Sequence, residues 1–278
     1  GDFYEMFFDD AVLVSKELEL TLTGKSCGME ERAPMCGIPY HAVEGYLNRL
    51  VANGHKVAIC EQVEDPKLAK GIVKREVIRV VTPGTNMDIQ ALDESKNNYI
   101  MCIVYLADKY GISLADVSTG DYYVTEVDSE RKLIDEINKF APSEIVCNES
   151  FYMSGVDLED MRHLLGITIY SLDAWYFSDE TAETTLKGHF HVNSLEGLGL
   201  NDYAYGTIAA GALLKYLYET QKNNLDHISA IHPYSTGKFM IIDSSTRRNL
   251  ELVETMREKQ KRGSLLWVLD KTKTAMGA

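Results

Sequence analysis

The sequence has few of the features that mark a membrane or secreted protein. Its longest apolar runs are far shorter than the roughly 20 residues that cross a bilayer. The N-terminus has no basic segment, apolar run and small-residue site of the kind found in a signal peptide. The five cysteines form no Cys-x-x-Cys pair, and their odd number favours reduced, mostly buried thiols over a disulfide framework. These absences predict a cytoplasmic protein with no membrane partner.

Motifs for catalysis and metal binding are also absent or incomplete. The sequence contains neither Gly-x-Ser-x-Gly nor His-Glu-x-x-His, and Cys60-Glu61 has no identifiable base partner. His189-x-His191 is the only close histidine pair, and no third ligand of a suitable type lies beside it. Thr23-Gly24-Lys25-Ser26 resembles the tail of a phosphate-binding loop, but Glu19 occupies the position where that loop needs a glycine. The sequence therefore predicts no catalytic, metal or ATP site in these residues.

Positive charge is scarce for a protein that would bind nucleic acid unaided. The formal net charge is -14, whereas phosphate contacts need lysine and arginine. Residues 1–90 hold 10 basic and 14 acidic side chains, residues 91–190 hold 7 and 19, and residues 191–278 hold 11 and 9. The acidic excess is concentrated in the middle, so any DNA contact is expected at the two ends.

The first part of the chain has the pattern of a mixed α/β unit. AVLVSKELEL at residues 11–20 repeats its apolar residues with a helical period, and LTLTGKS then predicts a strand. AVEGYLNRLVANG predicts a second helix that stops at Asn53-Gly54. KVAICEQV and VKREVIRVVTPGT alternate like strands, and Pro83-Gly84 breaks the second of them.

A second unit follows a polar, aperiodic stretch at residues 85–97, which predicts a linker. YIMCIVYL, YGISLADVST and DYYVTEV predict a three-stranded antiparallel meander. Ser129 is placed to cap the helix of ERKLIDEINKF, and SEIVCNE adds a strand. The order β-β-β-α-β is that of a ribonuclease H-like layered fold. Residues 203–221 predict a largely apolar helix, and KFMIIDSSTRRNLELVETM begins a new unit.

A ribonuclease H-like outline raises the alternative of a nuclease with clustered aspartates and two metal ions. Such a site needs a carboxylate on the first strand, and residues 99–106 contain none. Asp116 and Asp121 are interpreted as solvated polar positions. A module that only docks a protein partner is a second alternative.

The opening stretch, GDFYEMFFDD, allows two interpretations. Phe3, Met6 and Phe7 could all enter a core, as aromatic residues at this spacing usually do. Alternatively, Phe3 and Glu5 form an exposed pair that contacts a partner. Periodicity alone favours the first interpretation.

Several segments together resemble one family, the DNA mismatch-repair proteins of the MutS type. They are GDFYEMFFDDA, APMCGIPYHAVEGYLNRLVANGHKVAICEQVEDP, VKREVIRVVTPGT, TRRNLEL and VLDKTKTAMG. The similarity keeps the same order over nearly the whole chain, so it is far more specific than a lone Phe-Tyr-Glu.

The resemblance implies a domain organisation. It implies a mismatch-binding domain at residues 1–84, a linker at 85–97, a ribonuclease H-like connector at 98–232 and the beginning of a helical core domain at 233–278. Family members also carry a clamp and a dimerising ATPase that uses ATP and Mg²⁺, so we expect this stretch to be a monomeric, non-enzymatic fragment without a cofactor. The implied partners are mismatched duplex DNA and, through the connector, a MutL-type protein, with the bacterial nucleoid as the place of action. Arg247 and Arg248 are interpreted as structural.

The resemblance also implies the DNA-binding residues. The phenylalanine of the family's Phe-x-Glu motif enters the minor groove and stacks on a mispaired base, and it maps to Phe3. Glu5 maps to the motif's glutamate, which contacts a base edge either as an acceptor or, when protonated, as a donor. Tyr4 should point the other way into the domain. Further candidates for the groove are Lys25, Met35 and the Tyr40-His41 turn.

Overall fold

The structure is a computed structural model that describes residues 2–65, 69, 71–86, 97–237, 240 and 242–272. Contacts divide the chain into two units, one of residues 1–92 with 219–223 and one of residues 93–218 with 224–278. Most of the predicted linker lies outside the described residues.

Among the described helices, none is long and apolar enough to cross a membrane. The predicted domain boundaries stay predictions.

A three-stranded antiparallel sheet organises the first unit. Its strands β1 (Phe3–Phe7), β2 (Thr23–Lys25) and β3 (Ala33–Pro39) lie in the order β1-β3-β2. Helix α1 (Phe8–Glu17) follows β1, and α2 (Val43–Ala52) follows a short 3-10 turn after β3. One face of the sheet is covered by a small core, whose buried members are Ala11, Val14, Leu18, Cys36, Ile38 and Leu50.

The first helix begins and ends three residues before the predicted span. Asp9 and Asp10 fall in its first turn, where carboxylates favour a helix N-terminus. Glu19 has a positive φ of 55°, so the helical conformation stops before the predicted end. Only Thr23–Lys25 of the predicted LTLTGKS strand is paired.

The remaining strands of the first unit form a separate pair. β4 (Val57–Gln62) and β5 (Arg75–Val81) are antiparallel, with a register shift between Ile59 and Cys60. Thr82 and Thr85 then close a capping box around the turn at Pro83–Thr85. Both strands were expected from their alternating pattern, and both are confirmed.

A six-stranded sheet forms the centre of the second unit. β6 (Tyr99–Leu106), β7 (Lys109–Asp116) and β8 (Tyr122–Val127) form the predicted meander. β9 (Glu144–Cys147) and β10 (Thr168–Ser171) lie parallel to one another, and β9 lies parallel to β6. β11 (His232–Pro233) pairs with β8, which gives the order β10-β9-β6-β7-β8-β11. The mixed α/β class is confirmed, and the ribonuclease H-like assignment stays a prediction.

Helices belong to both faces of this sheet. They are α3 (Glu130–Phe140), α4 (Glu149–Tyr152), α5 (Leu158–Leu165), α6 (Asp179–Phe190) and α7 (Ala204–Gln221). Alternate residues of β6 enter two different cores, one with Leu213 of α7 and one with Ile137 of α3. A strand that is buried on both faces reads as a continuous apolar run, as YIMCIVYL does.

Helix α7 lies very close to its neighbours. A Cβ added at Gly111 would lie 2.2 Å from the carbonyl carbon of Tyr205, and one added at Gly211 would lie 2.2 Å from the Cα of Ala182. The backbone N–H groups of Tyr205 and Gly206 donate to Glu126 Oε1 at 2.6 and 3.0 Å. This carboxylate therefore accepts hydrogen bonds from backbone N–H groups that have no partner within the first turn of α7.

The last described elements are α8 (Ser244–Asn249) and α9 (Leu265–Leu269). Asp243 caps α8 by accepting from the backbone N–H of Thr246 at 2.7 Å. Arg247 donates to the backbone carbonyls of Asn138 and Lys139 at 3.3 and 3.0 Å, at the C-terminal end of α3. The structural interpretation of Arg247 is confirmed.

Two local predictions are wrong. Asp116 is fully buried rather than solvated, because it accepts from Ser118 Oγ at 2.6 Å and from the backbone N–H of Asn98 at 3.0 Å. Ser129 precedes α3 in an extended conformation, but its side chain makes no cap hydrogen bond to that helix.

Candidate nucleic-acid interface

The open face of the three-stranded sheet carries the predicted aromatic–acidic pair. Side chains alternate along a strand, so Phe3, Glu5 and Phe7 share one face of β1, and Tyr4 and Met6 share the other. The Phe3 side chain is 57 % exposed, whereas Met6 packs against the core of the first unit. The interpretation that buries Phe3 together with Met6 is therefore wrong.

Gly37 lies beneath the Phe3 ring. In the β1–β3 register Gly37 is opposite Glu5, and Phe3 is opposite Pro39. A Cβ built on Gly37 would lie 3.4 Å from Phe3 Cδ1. The ring thus lies over backbone that has no side chain, with one surface left open. A glycine inside a strand pattern marks such close approaches, and PMCGIPYH contains that signal.

Lys25 and Glu5 form an ion pair across this face. Lys25 Nζ lies 2.5 Å from Glu5 Oε2, and the side chains are 49 % and 37 % exposed. The same ammonium lies 5.4 Å from the centroid of the Phe7 ring, a cation–π distance. Phe7 was not predicted to belong to the site. The structure therefore places the predicted residues Phe3, Glu5 and Lys25 on one surface.

Met35 is near one end of the same surface. It is opposite Phe7 in β1 and opposite Thr23 in β2, and it is half-buried. Directly opposed residues of an antiparallel pair project to the same side of a sheet. Register therefore places the four predicted DNA-binding residues on one face.

Tyr4 lies on the opposite face, as predicted. Its hydroxyl donates a hydrogen bond to Glu61 of β4, and its ring stacks on Tyr40 with centroids 5.6 Å apart. Burial, and then the adjacent Glu61 carboxylate, raise the pKa of Tyr4 well above its usual value. Tyr40 therefore packs with the face that carries Tyr4, and His41 follows it in the 3-10 turn.

The surface carries side chains that can contact a nucleic acid. An open aromatic ring can stack on a base, a carboxylate can accept from a base edge, and an ammonium can bind a phosphate. Within the part of the chain that the structure describes, no three His, Cys, Asp or Glu side chains group as a metal site. Both ring nitrogens of His189 are already paired, with the Tyr218 hydroxyl at 2.6 Å and the Ile228 carbonyl at 2.7 Å.

Comparisons with known proteins match nearly the whole chain. The family model described as MutS domain I matches residues 1–90, MutS domain II matches 98–229, and MutS domain III matches 245–278. Each of the relatives compared is named DNA mismatch repair protein MutS. The chain is 66 % identical to that of Lachnoclostridium phytofermentans over 278 residues, and 51 % identical to that of Ruminiclostridium cellulolyticum over 280 residues.

The matches cover this chain completely and the relatives only partly. The alignments include 100 % of this chain but 30 % and 32 % of those two relatives. The relative from Clostridium tetani is 49 % identical over 281 residues, with 100 % of this chain and 31 % of its own length covered. Three consecutive domain models in the family's order and identities of this size lead to one conclusion: the chain belongs to the MutS family.

Proposed function

We propose that this chain recognises mispaired or unpaired bases in duplex DNA through the open face of β1. The observation that carries the proposal is the pairing of an exposed Phe3 ring, supported by Gly37, with Glu5 on the same face. The relatives' name, DNA mismatch repair protein MutS, supports the same assignment. Mismatched duplex is thus the proposed partner of the first unit.

In this proposal Phe3 acts as a wedge. An apolar side chain inserted into the minor groove unstacks a base step and kinks the duplex, and this deformation costs least where base pairing is already weak. Stacking of a base on an aromatic ring contributes roughly 1–3 kcal/mol whatever the base. One ring can therefore serve many different mismatches.

Glu5 supplies the selectivity. A carboxylate near phosphates is unfavourable unless it gains a hydrogen bond from a base edge, and a well-stacked matched duplex offers it none. Mismatched DNA has displaced base edges that can satisfy it. Lys25 and Met35, on the same face, complete the proposed contact surface.

The second unit is proposed to be a connector rather than a DNA-binding or catalytic domain. Residues 91–190 hold 19 acidic side chains against 7 basic ones, and such a surface repels phosphates. Its proposed role is to relay mismatch binding to a MutL-type partner. The resemblance to the family implies an ATPase that uses Mg²⁺ and dimerises. We propose that it lies in the parts of the longer relatives that this chain does not cover, and that this chain uses no cofactor.

The proposal is tested by DNA binding in the longest natural protein that contains this chain. Fluorescence anisotropy with a G·T duplex and its matched control compares the unchanged protein with Phe3→Ala. Phe8→Ala is the control, because Phe8 is 50 % exposed and adjoins the same strand. We expect Phe3→Ala to abolish most of the mismatch preference while thermal stability stays nearly unchanged, since an exposed ring contributes little to a core.

Three results would argue against this function. They are an unchanged mismatch preference in Phe3→Ala, an equal loss in Phe8→Ala, or a fall in stability of about 3–5 kcal/mol, which is typical of a buried phenylalanine. The last result would show that the ring supports the fold rather than the DNA contact.

A further inference from the structure

The ion pair between Lys25 and Glu5 occupies the centre of the proposed DNA-binding face. Lys25 Nζ and Glu5 Oε2 are 2.5 Å apart, and about half of the lysine side chain is exposed. Both side chains are partly exposed, so Lys25 and Glu5 can each leave the other for a different partner. Glu5 is therefore already hydrogen-bonded in the protein alone, before any base edge is available to it.

This pairing changes what a matched duplex encounters. A bare carboxylate would be repelled by the phosphates on both sides of a groove, and an ammonium in direct contact with it reduces that repulsion without supplying the base contact that a mismatch offers. A matched duplex offers Glu5 no base partner, so nothing competes with Lys25 for the carboxylate. The pair then stays closed while the protein contacts undamaged DNA.

The position of a mismatched base would change which partner Glu5 binds. Phe3 and Glu5 are two residues apart on β1, which separates them by about 7 Å along the strand. A displaced base stacked on the Phe3 ring would therefore bring its polar edge towards Glu5. Exposed ion pairs are weak, so a base contact for Glu5 and a phosphate contact for Lys25 together can outweigh the pair.

We propose that Lys25 is a specificity-determining residue that holds Glu5 in an ion pair on matched DNA and exchanges it for a phosphate on mismatched DNA. This inference rests on the proposed function, because it assumes that the β1 face enters the duplex. Lys25 then does more than contact a phosphate in every complex. The lysine neutralises Glu5 in one complex and binds DNA in the other.

The salt dependence of binding measures this exchange directly. The logarithm of affinity falls with the logarithm of salt concentration by about 0.9 for each phosphate that a protein neutralises. We expect the slope for a G·T duplex to be steeper by about 0.9 than the slope for the matched duplex. The difference corresponds to one additional phosphate contact, made by Lys25. Titrations at several salt concentrations in the longest natural protein that contains this chain supply both slopes.

Two variants should remove the slope difference in opposite ways. Lys25→Met removes the ammonium, so both duplexes should give the shallower slope. Glu5→Gln frees Lys25 on either duplex, so both duplexes should give the steeper slope. This variant keeps the Lys25 side chain unchanged. Lys132→Met is the control, because Lys132 pairs with Asp128 at 2.7 Å in the second unit and should keep the original difference.

The outcomes separate this inference from the proposed function. Equal slopes in the unchanged protein, together with a retained preference for the mismatch, would overturn the exchange and leave the wedge intact. A slope difference that survives Lys25→Met would show that another cation contacts the additional phosphate, and would also overturn it. Absence of any mismatch preference in the unchanged protein would overturn the proposed function itself.

Discussion

The Tyr4 hydroxyl donates a hydrogen bond to Glu61, so the residue between Phe3 and Glu5 fastens β1 to β4. Neighbouring residues of one strand therefore have opposite roles. Phe3 and Glu5 face outwards, on the surface proposed to contact DNA, whereas Tyr4 holds the strand that carries them. Stability and selectivity should accordingly respond to different substitutions within three consecutive positions.

Tyr4→Phe should lower stability without abolishing mismatch preference. The substitution keeps the ring that stacks on Tyr40 and removes the hydrogen bond to Glu61. Loss of one hydrogen bond costs about 0.5–1.5 kcal/mol. Thermal denaturation and duplex binding, measured on the same sample, check both statements. A loss of selectivity as large as that expected for Phe3→Ala would contradict the division of roles along β1.

The 278-residue chain alone should bind DNA weakly. Its net charge of -14 allows few phosphate contacts, and stacking on a single ring must also offset the unstacking that it causes. We expect a monomer that binds a mismatched duplex no more tightly than the micromolar range and has no ATPase activity. Gel-shift titration at two salt concentrations and sedimentation are the measurements. Nanomolar, mismatch-selective binding would refute the electrostatic reasoning.

Two glycines in neighbouring helices should respond to alanine with opposite signs. Gly211→Ala places a methyl group 2.2 Å from the Cα of Ala182, so α7 must shift, and we expect a loss of about 1–3 kcal/mol or more. Gly188 lies in α6, and no described atom is within 4 Å of the position that an added methyl group would occupy. Gly188→Ala should gain roughly 0.5–1 kcal/mol, because glycine is a poor helix former. Urea unfolding of both variants tests the close approach of α6 and α7.

The contact between α1 and the end of α2 should weaken in acid. His55 Nε2 lies 2.8 Å from Glu17 Oε1, and the Asn53 amide donates to Glu17 Oε2 at 3.1 Å. These hydrogen bonds, the one from His55 first, hold the pKa of Glu17 below its usual value. Because the folded-state pKa is the lower one, the contribution is complete above the carboxyl's unfolded pKa and is lost as pH falls through the folded value.

His55→Ala isolates that contribution. At neutral pH we expect a stability loss below about 1 kcal/mol, since the groups are partly exposed. The difference between the variant and the unchanged chain should disappear once Glu17 is protonated. Melting temperatures measured from about pH 3 to pH 8, a range that includes the usual glutamate pKa of roughly 4.3, would show it. A difference that stays constant over this range would mean that His55 acts by packing alone.

Local patterns predicted the strands β4 to β9, because each of them has its own signal, but they did not predict β1, β3 or β10 as strands. The β6–β7–β8 meander is confirmed where apolar runs stop at tight turns, at Asp108 and at Gly120. The periodic pattern favoured a buried Phe3, but Phe3 is exposed. This exposure depends on β3, whose Gly37 leaves the outer face of β1 uncovered. A resemblance to a family indicated the correct face where the local pattern did not.

Relationships between distant residues were beyond the reach of sequence patterns. Lys25 meets Glu5 across 20 residues, and the contact depends on the register of β2 against β3. β11 pairs with β8 although about a hundred residues separate them, and its two residues have no strand signature. Asp116 is buried because its own turn supplies the donors. The first two features arise from tertiary pairing, which overrides local propensity.

The hydrogen bonds from Arg247 to the last carbonyls of α3 have a mechanical consequence. One guanidinium nitrogen, Nη1, donates to both carbonyl oxygens, so α8 cannot slide along the end of α3 without breaking at least one of the two bonds. The segment that begins MutS domain III is thereby coupled to a helix whose Leu133 and Ile137 are buried under the six-stranded sheet. Arg131 of α3 also lies 3.6 Å from Asp243, which caps α8, so removal of the Arg247 side chain should loosen this attachment without breaking it.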